Sequence, residues 1–225
     1  MPDWAGPVAR YIFETGLPAT LRISAVAVVG SAVIGILLGT LLTIEFRPSR
    51  LLIRGYIEIF RGLPILVTVF IVYFGLPEIS EALKFGPIPS TSIALTLWGS
   101  AQVAEATRGA VGSISREQHE AALALGFGWV GRHEYVILPQ ALRRLLPPLV
   151  GLLVNIIQNS TLAAVIGGIE LLQAGKSQSE RLTFIPPAGL GEIHAFEIFA
   201  FVAAIFFLIS FPLTRLAAYL ERRLV

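Results

Sequence analysis

Five stretches without a single charged side chain, residues 25–44, 62–77, 85–104, 145–169 and 198–214, constrain this 225-residue chain more than any other feature. Runs of about 17 to 25 apolar residues are what a helix needs to cross a hydrocarbon core of ~30 Å, where each backbone group must be bonded within the protein. Only 14% of the residues are charged, against ~25% in ordinary soluble domains, and the mean hydropathy is +0.75. A water-soluble globule is thereby excluded. The expected fold is a single all-α integral membrane domain over 1–225, with transmembrane helices at about 17–45, 52–76, 90–109, 143–168 and 195–218 and a polar loop at 110–142.

Charge orients these helices. Arg47, Arg50, Arg54, Arg108, Arg116, Arg132, Arg143, Arg144, Arg215, Arg222 and Arg223, eleven of the seventeen basic residues, fall on one side of the proposed spans. Positively charged flanks stay in the cytoplasm, so the loop 110–142 and the C-terminus are expected inside and the N-terminus outside. The first sixteen residues lack the basic and apolar regions of a signal peptide. They carry Trp4, Tyr11 and Phe13 beside Asp3, Arg10 and Glu14, as suits an anchor at the outer interface. A net charge of +2 gives no argument for nucleic acid. With no cysteine, and with His119, His133 and His194 scattered, no metal site is expected.

The loop itself is patterned. Residues 120–139, EAALALGFGWVGRHEYVILP, read as a short helix, a break at Gly126-Phe127-Gly128, and a second short helix stopped by Pro139. Ser115 with Gln118 three residues on is a candidate capping box that would start the first helix at Arg116. About ten helical residues reach only ~15 Å, too short to span a bilayer. A rigid surface knob is expected, with Ala121 and Ala122 permitting close approach, Gly126 ending the helix, and Arg116, Glu117, His119 and Glu120 supplying polar contacts.

Spacing within this knob resembles the Glu-Ala-Ala, three residues, Gly, nine residues, Ile-x-Leu-Pro signature of ABC importer permeases. Glu120, Ala121, Ala122, Gly126, Leu138 and Pro139 all match, and Val136 stands at the usual Ile. Residues 56–77, YIEIFRGLPILVTVFIVYFGLP, are similar to the second helix of permeases for polar amino acids, whose Ala-Glu-x-x-Arg-Gly also recurs at Ala104, Glu105, Arg108 and Gly109, with Gln102 in place of a tyrosine. The resemblance covers roughly 17–224. It implies the type I ABC importer permease fold in the inner membrane of a prokaryote. It further implies that the knob is a coupling helix, involving Arg116, Glu117, His119, Glu120, Ala121, Ala122, Leu123, Gly126 and Phe127, seated in a cytoplasmic ATPase. Two ATPase subunits, an extracytoplasmic amino-acid-binding protein and a second permease copy or paralogue are the implied partners. ATP and magnesium would be held by the ATPase and no cofactor by this chain.

Other segments refine that expectation. Gly35 and Gly39 stand at GxxxG spacing in the first span. Glu58 and Arg61, three residues apart, are expected to neutralise each other as a structural pair, and Pro64 to loosen the second helix. Arg143 and Arg144 would mark re-entry into the membrane, with Pro147-Pro148 in the first helical turn. Within the fourth span Asn155, Gln158, Asn159, Ser160 and Thr161 interrupt an apolar run, which is costly unless they face protein, water or ligand. With Gln102 they form the candidate substrate site. The resembled family reads Lys-Asp-Thr-Ser-Leu where this chain has Gln158-Asn159-Ser160-Thr161-Leu162, so a ligand with a neutral polar side chain, glutamine-like, is expected.

The outer region 169–195 holds Glu170, Lys176, Glu180, Arg181, Pro186, Pro187 and Glu192, whose charges are expected to meet water, headgroups or an external protein. Its Ala174-Gly175-Lys176-Ser177 is not a phosphate loop, because Glu170 occupies the position of the required first glycine. ATP hydrolysis is therefore assigned to a separate subunit. Alternatives are a permease of another ABC importer class, for osmolytes or oxyanions, and a secondary carrier. The absence of a buried ionisable residue in the sequence pattern argues against the carrier.

Overall fold

The computed structural model describes residues 3–43, 47–183 and 194–224; residues 44 and 45 of the expected first span, and Pro186, Pro187 and Glu192, lie outside the described residues. Among the described residues all regular structure is helical. In chain order these are α1 (Ala5–Leu41), α2 (Arg47–Gly62), α3 (Ile65–Ile79), α4 (Pro87–Gly112), α5 (Arg116–Ala124), α6 (Trp129–Ile166), α7 (Leu171–Thr183) and α8 (Ala195–Leu224).

Three of them, α1, α6 and α8, are long and apolar enough to cross a membrane, and a fourth span results if the broken pair α2 and α3 is counted as one. The expected count of five falls short at residues 90–109. They lie in α4, whose 26 residues extend ~39 Å. Ser90, Thr91, Ser92, Ser100 and Thr107 lower its hydropathy, yet all five are buried. Thr91 and Ser92 hydroxyls donate to the Pro87 and Ile88 carbonyls, each at 2.9 Å, which offsets the cost of burying them. A helix enclosed by protein needs no lipid-compatible surface.

Prolines account for the remaining differences. At Leu63-Pro64 the expected span 52–76 divides into α2 and α3 rather than merely loosening. Pro139 does not end a helix, because the turn before it, Arg132–Ile137, is widened into a π-helix that continues into Leu138–Asn159. The wider turn spreads the register in which the missing proline N–H would fall. Pro147 and Pro148 lie inside this helix and not in its first turn. The fourth membrane helix thus begins well before Arg143.

The chain forms two compact units: Met1–Ala27, Ile65–Leu95 and Val154–Pro212 in one, and Val28–Pro64, Thr96–Leu153 and Leu213–Val225 in the other. In the first, Val8 and Ile12 from the start of α1 pack with Leu171, Ala174, Ile198, Val202 and Ile205. Residues 5–16 are therefore core and not only an anchor. In the second, Ala110, Val111, Ile114, Ile137, Ala141 and Leu145 form one cluster and Leu42, Ile53, Ile57 and Ala104 another. Gly35 and Gly39 let α1 press against α4. A Cβ at Gly35 would lie 2.7 Å from the Ser100 carbonyl, and one at Gly39 would overlap the Ala104 carbonyl.

Candidate functional site

The expected surface knob is built by α5 and the turn after it. Ser115 precedes the helix in an extended conformation, but its hydroxyl makes no cap. The expected capping box does not form: Gln118 N–H bonds the Ser115 carbonyl at 3.1 Å, while the Gln118 side chain accepts from Gln140 at 3.3 Å. The C-terminal end does follow its sequence. Gly126 adopts φ +82°, its N–H reaches the Leu123 carbonyl at 2.9 Å, and Phe127 N–H reaches the Ala122 carbonyl at 3.1 Å. These two bonds constitute a Schellman cap, whose left-handed residue favours glycine.

The two alanines divide their roles. Ala122 is 2% exposed and faces the protein, whereas Ala121, Leu123 and Leu125 face outward. α5 packs on the π turn Arg132–Ile137. Leu125 is 78% exposed, and Val130 and Tyr135 are exposed beside it, so the knob presents apolar as well as polar contacts. Arg116 Nε donates to Glu120 Oε1 at 2.8 Å on the exposed face, and Glu117 is exposed nearby. Burial, and then the Arg132 guanidinium, hold the His119 imidazole below its ordinary range.

In the same unit Leu42, Arg54, Ile57, Glu58, Arg61, Glu105 and Arg108 line a hollow of about 290 Å³. Glu58 and Arg61 share this hollow without bonding each other. Arg61 Nε instead donates to Gln102 Oε1 at 3.3 Å, and Arg108 Nε to Glu105 Oε2 at 3.1 Å. The expected neutralising pair is thus replaced by a mixed cluster of three guanidinium and two carboxylate groups. A sequence signal for it existed: Glu-x-x-Arg-Gly occurs at both 58–62 and 105–109.

Gln102 is tied to this hollow only through Arg61, while the other five predicted substrate residues belong to the other unit. There α6 tightens from α-helix into a 3₁₀ stretch, Ser160–Ile166, closed by Gly167 at φ +82°. Seven residues is long for 3₁₀ and marks a functional or strained segment. Asn159 Nδ2 donates to the Asn155 carbonyl at 2.8 Å and Thr161 Oγ1 to the Gln158 carbonyl at 2.8 Å. Ser160 is buried, its hydroxyl given to the Ile157 carbonyl at 2.7 Å. Asn155 and Gln158 are exposed and present free amide capacity.

One ionisable group escaped the sequence reading. Glu170, expected at the surface, is 0% exposed. Its carboxylate accepts from the N–H groups of Leu172 at 2.9 Å and Gln173 at 2.8 Å, capping α7, and Leu171 N–H donates to Thr20 Oγ1 at 3.1 Å. Burial pushes its pKa up while the two amides pull it down. Its carboxylate is occupied as a helix cap, with the donors of α7 beside it. Local polarity around Glu170 carried no signal of burial, since the burying residues come from α1.

Residues 31–225 match the family described as the binding-protein-dependent transport system inner membrane component. The chain is 35% identical over 224 residues to the glutamine transport system permease protein GlnP of Escherichia coli, covering 99% of this chain and 97% of that one. It is 33% identical over 214 residues to the probable glutamine ABC transporter permease protein GlnM of Bacillus subtilis, covering 95% and 93%. Among solved structures, a chain of an amino acid ABC transporter crystallised with histidines superposes with TM-score 0.82 at 27% identity, covering 99% of both chains. A chain of the MetNI methionine ABC transporter gives 0.76 at 17% identity, covering both chains fully, a likeness of fold.

Proposed function

The chain belongs to the binding-protein-dependent transport system inner membrane component family, and from that premise we propose that it is the permease subunit of an ATP-driven importer for a polar amino acid. The single observation that carries the mechanism is the α5 knob. It is capped into rigidity at Gly126, and it offers Leu123, Leu125, Arg116 and Glu120 outward to a partner. A cytoplasmic ATPase takes that surface, and a second permease subunit and an extracytoplasmic binding protein complete the importer. ATP and magnesium reside on the ATPase.

The substrate is a zwitterion with a neutral polar side chain, glutamine-like. The hollow bearing Glu58, Glu105, Arg54, Arg61 and Arg108 offers both signs of charge to an ammonium and a carboxylate. The similarity to glutamine permeases supports the same choice. In this arrangement the protein needs two states with different contacts to its partners, so that nucleotide binding shifts the balance between them. Co-purification with an ATPase and ligand-stimulated hydrolysis in liposomes test the assembly. Competition among glutamine, arginine and glutamate tests the ligand: glutamine should dominate, and dominance by arginine would overturn the charge argument.

A further inference from the structure

His133 lies in the π turn beneath the coupling knob, 3% exposed, with its ring stacked on Trp129 at 4.1 Å between centroids. Both ring nitrogens are engaged. Nδ1 is 2.8 Å from the Trp129 carbonyl, which can only accept, so Nδ1 carries a proton. Nε2 is 3.0 Å from Thr43 Oγ1, just beyond the inner end of α1. In the neutral ring Nε2 is an acceptor and takes the Thr43 hydroxyl proton. That same hydroxyl also lies 2.6 Å from the Thr40 carbonyl, its alternative acceptor. One proton thus has two destinations, one on its own helix and one on the segment that bears the knob.

We propose that Thr43 and His133 form a latch that fastens the end of α1 to the coupling segment, so that movement of the knob is delivered to α1. His133 is a positioning residue and touches no substrate. Released, the hydroxyl returns to Thr40 and leaves no buried donor unpaired, so the cost of opening is confined to the Nε2 acceptor, about that of one hydrogen bond. Trp129 holds the ring at one angle, since both its carbonyl and its indole face engage the same imidazole. This inference rests on the proposed coupling to an ATPase.

The experiment uses the assembled transporter in liposomes and reads amino acid taken up per ATP hydrolysed. Thr43→Val keeps the shape and removes the hydroxyl; His133→Phe keeps a stacking ring and removes both hydrogen bonds. Each should lower the ratio about fivefold, the factor one buried hydrogen bond carries, with hydrolysis retained. The double variant should be no worse than the poorer single one, as for two residues acting through one contact, and Thr43→Ser should restore the ratio. A wild-type ratio in Thr43→Val, or additive losses in the double variant, would overturn the latch. Failure of the wild-type chain to recruit an ATPase would instead strike the underlying reading. A second measurement holds in either case: amide exchange across Arg132–Ile137 should quicken in Thr43→Val, and unchanged exchange there overturns the contact itself.

Discussion

Gly126 ends α5 only because it can hold φ at +82°. Open space surrounds its absent Cβ, so the requirement is conformational and not steric. Gly126→Ala should cost ~1 kcal/mol, and Gly126→Asn less, since asparagine tolerates the left-handed region. Thermal unfolding of the two variants checks the order. Arg116 and Glu120 pose the opposite case, an exposed pair whose loss should change stability by less than about 0.5 kcal/mol. Loss of uptake with intact folding in Glu120→Ala would therefore report the partner contact. At Glu170 the sign of the pH effect follows from burial. A carboxyl held above its ordinary range binds its proton more tightly folded than unfolded, so the contribution to stability is greatest below the unfolded value of about 4.3 and declines as pH rises toward the folded value. Wild type should lose ground to Glu170→Gln as pH is raised from about 4; a constant gap in melting temperature contradicts this. The Gly126 turn was legible from one residue type, but Glu170 was not, because burial is conferred by distant segments.

Among the elements, the part of α4 from Thr96 onward decides how closely α1 approaches within the knob-bearing unit. Along α1, Gly30, Gly35 and Gly39 each meet α4 where a methyl group would strike Thr96, Val103 or the Ala104 carbonyl. Since the obstacle at Gly39 is backbone, the neighbour cannot simply rotate away. Gly39→Ala should destabilise by about 1–3 kcal/mol, whereas Gly55→Ala, with open space around it, should be neutral or slightly stabilising. Equal effects in a detergent melting experiment would refute this packing. GxxxG spacing named the glycines, but only the structure named α4 as their partner. Prolines show the limits of element-level reading from the other direction. Pro139, Pro147 and Pro148 each suggest a helix boundary, yet all three lie within α6, the first directly after a π turn that accommodates its missing donor.

For the molecule as a whole, charge is partitioned between the two units. The eleven arginines expected inside, together with Arg61, all belong to the unit that carries the knob, and the five other basic residues belong to its counterpart. From this division the expected orientation is an N-terminus outside and a C-terminus in the cytoplasm. Because the chain has no cysteine, a single substitution tests that orientation directly. Ser115→Cys should react with an impermeant maleimide only in inside-out vesicles, and labelling of intact cells would reverse the assignment.

Local chemistry by itself determined that this chain lives in lipid, where its helices run without charge, and that a short capped knob with the pattern of a permease interrupts them. Those properties follow from hydropathy over about twenty residues and from backbone rules at single glycines. Tertiary structure alone decided that Glu58 and Arg61 join Glu105 and Arg108 instead of each other, that Ser160 and Glu170 are sealed from water, and that Thr43 meets His133 across ninety positions of sequence. Each of these depends on which helix lies alongside another, and that is fixed by the fit of side chains from separated segments.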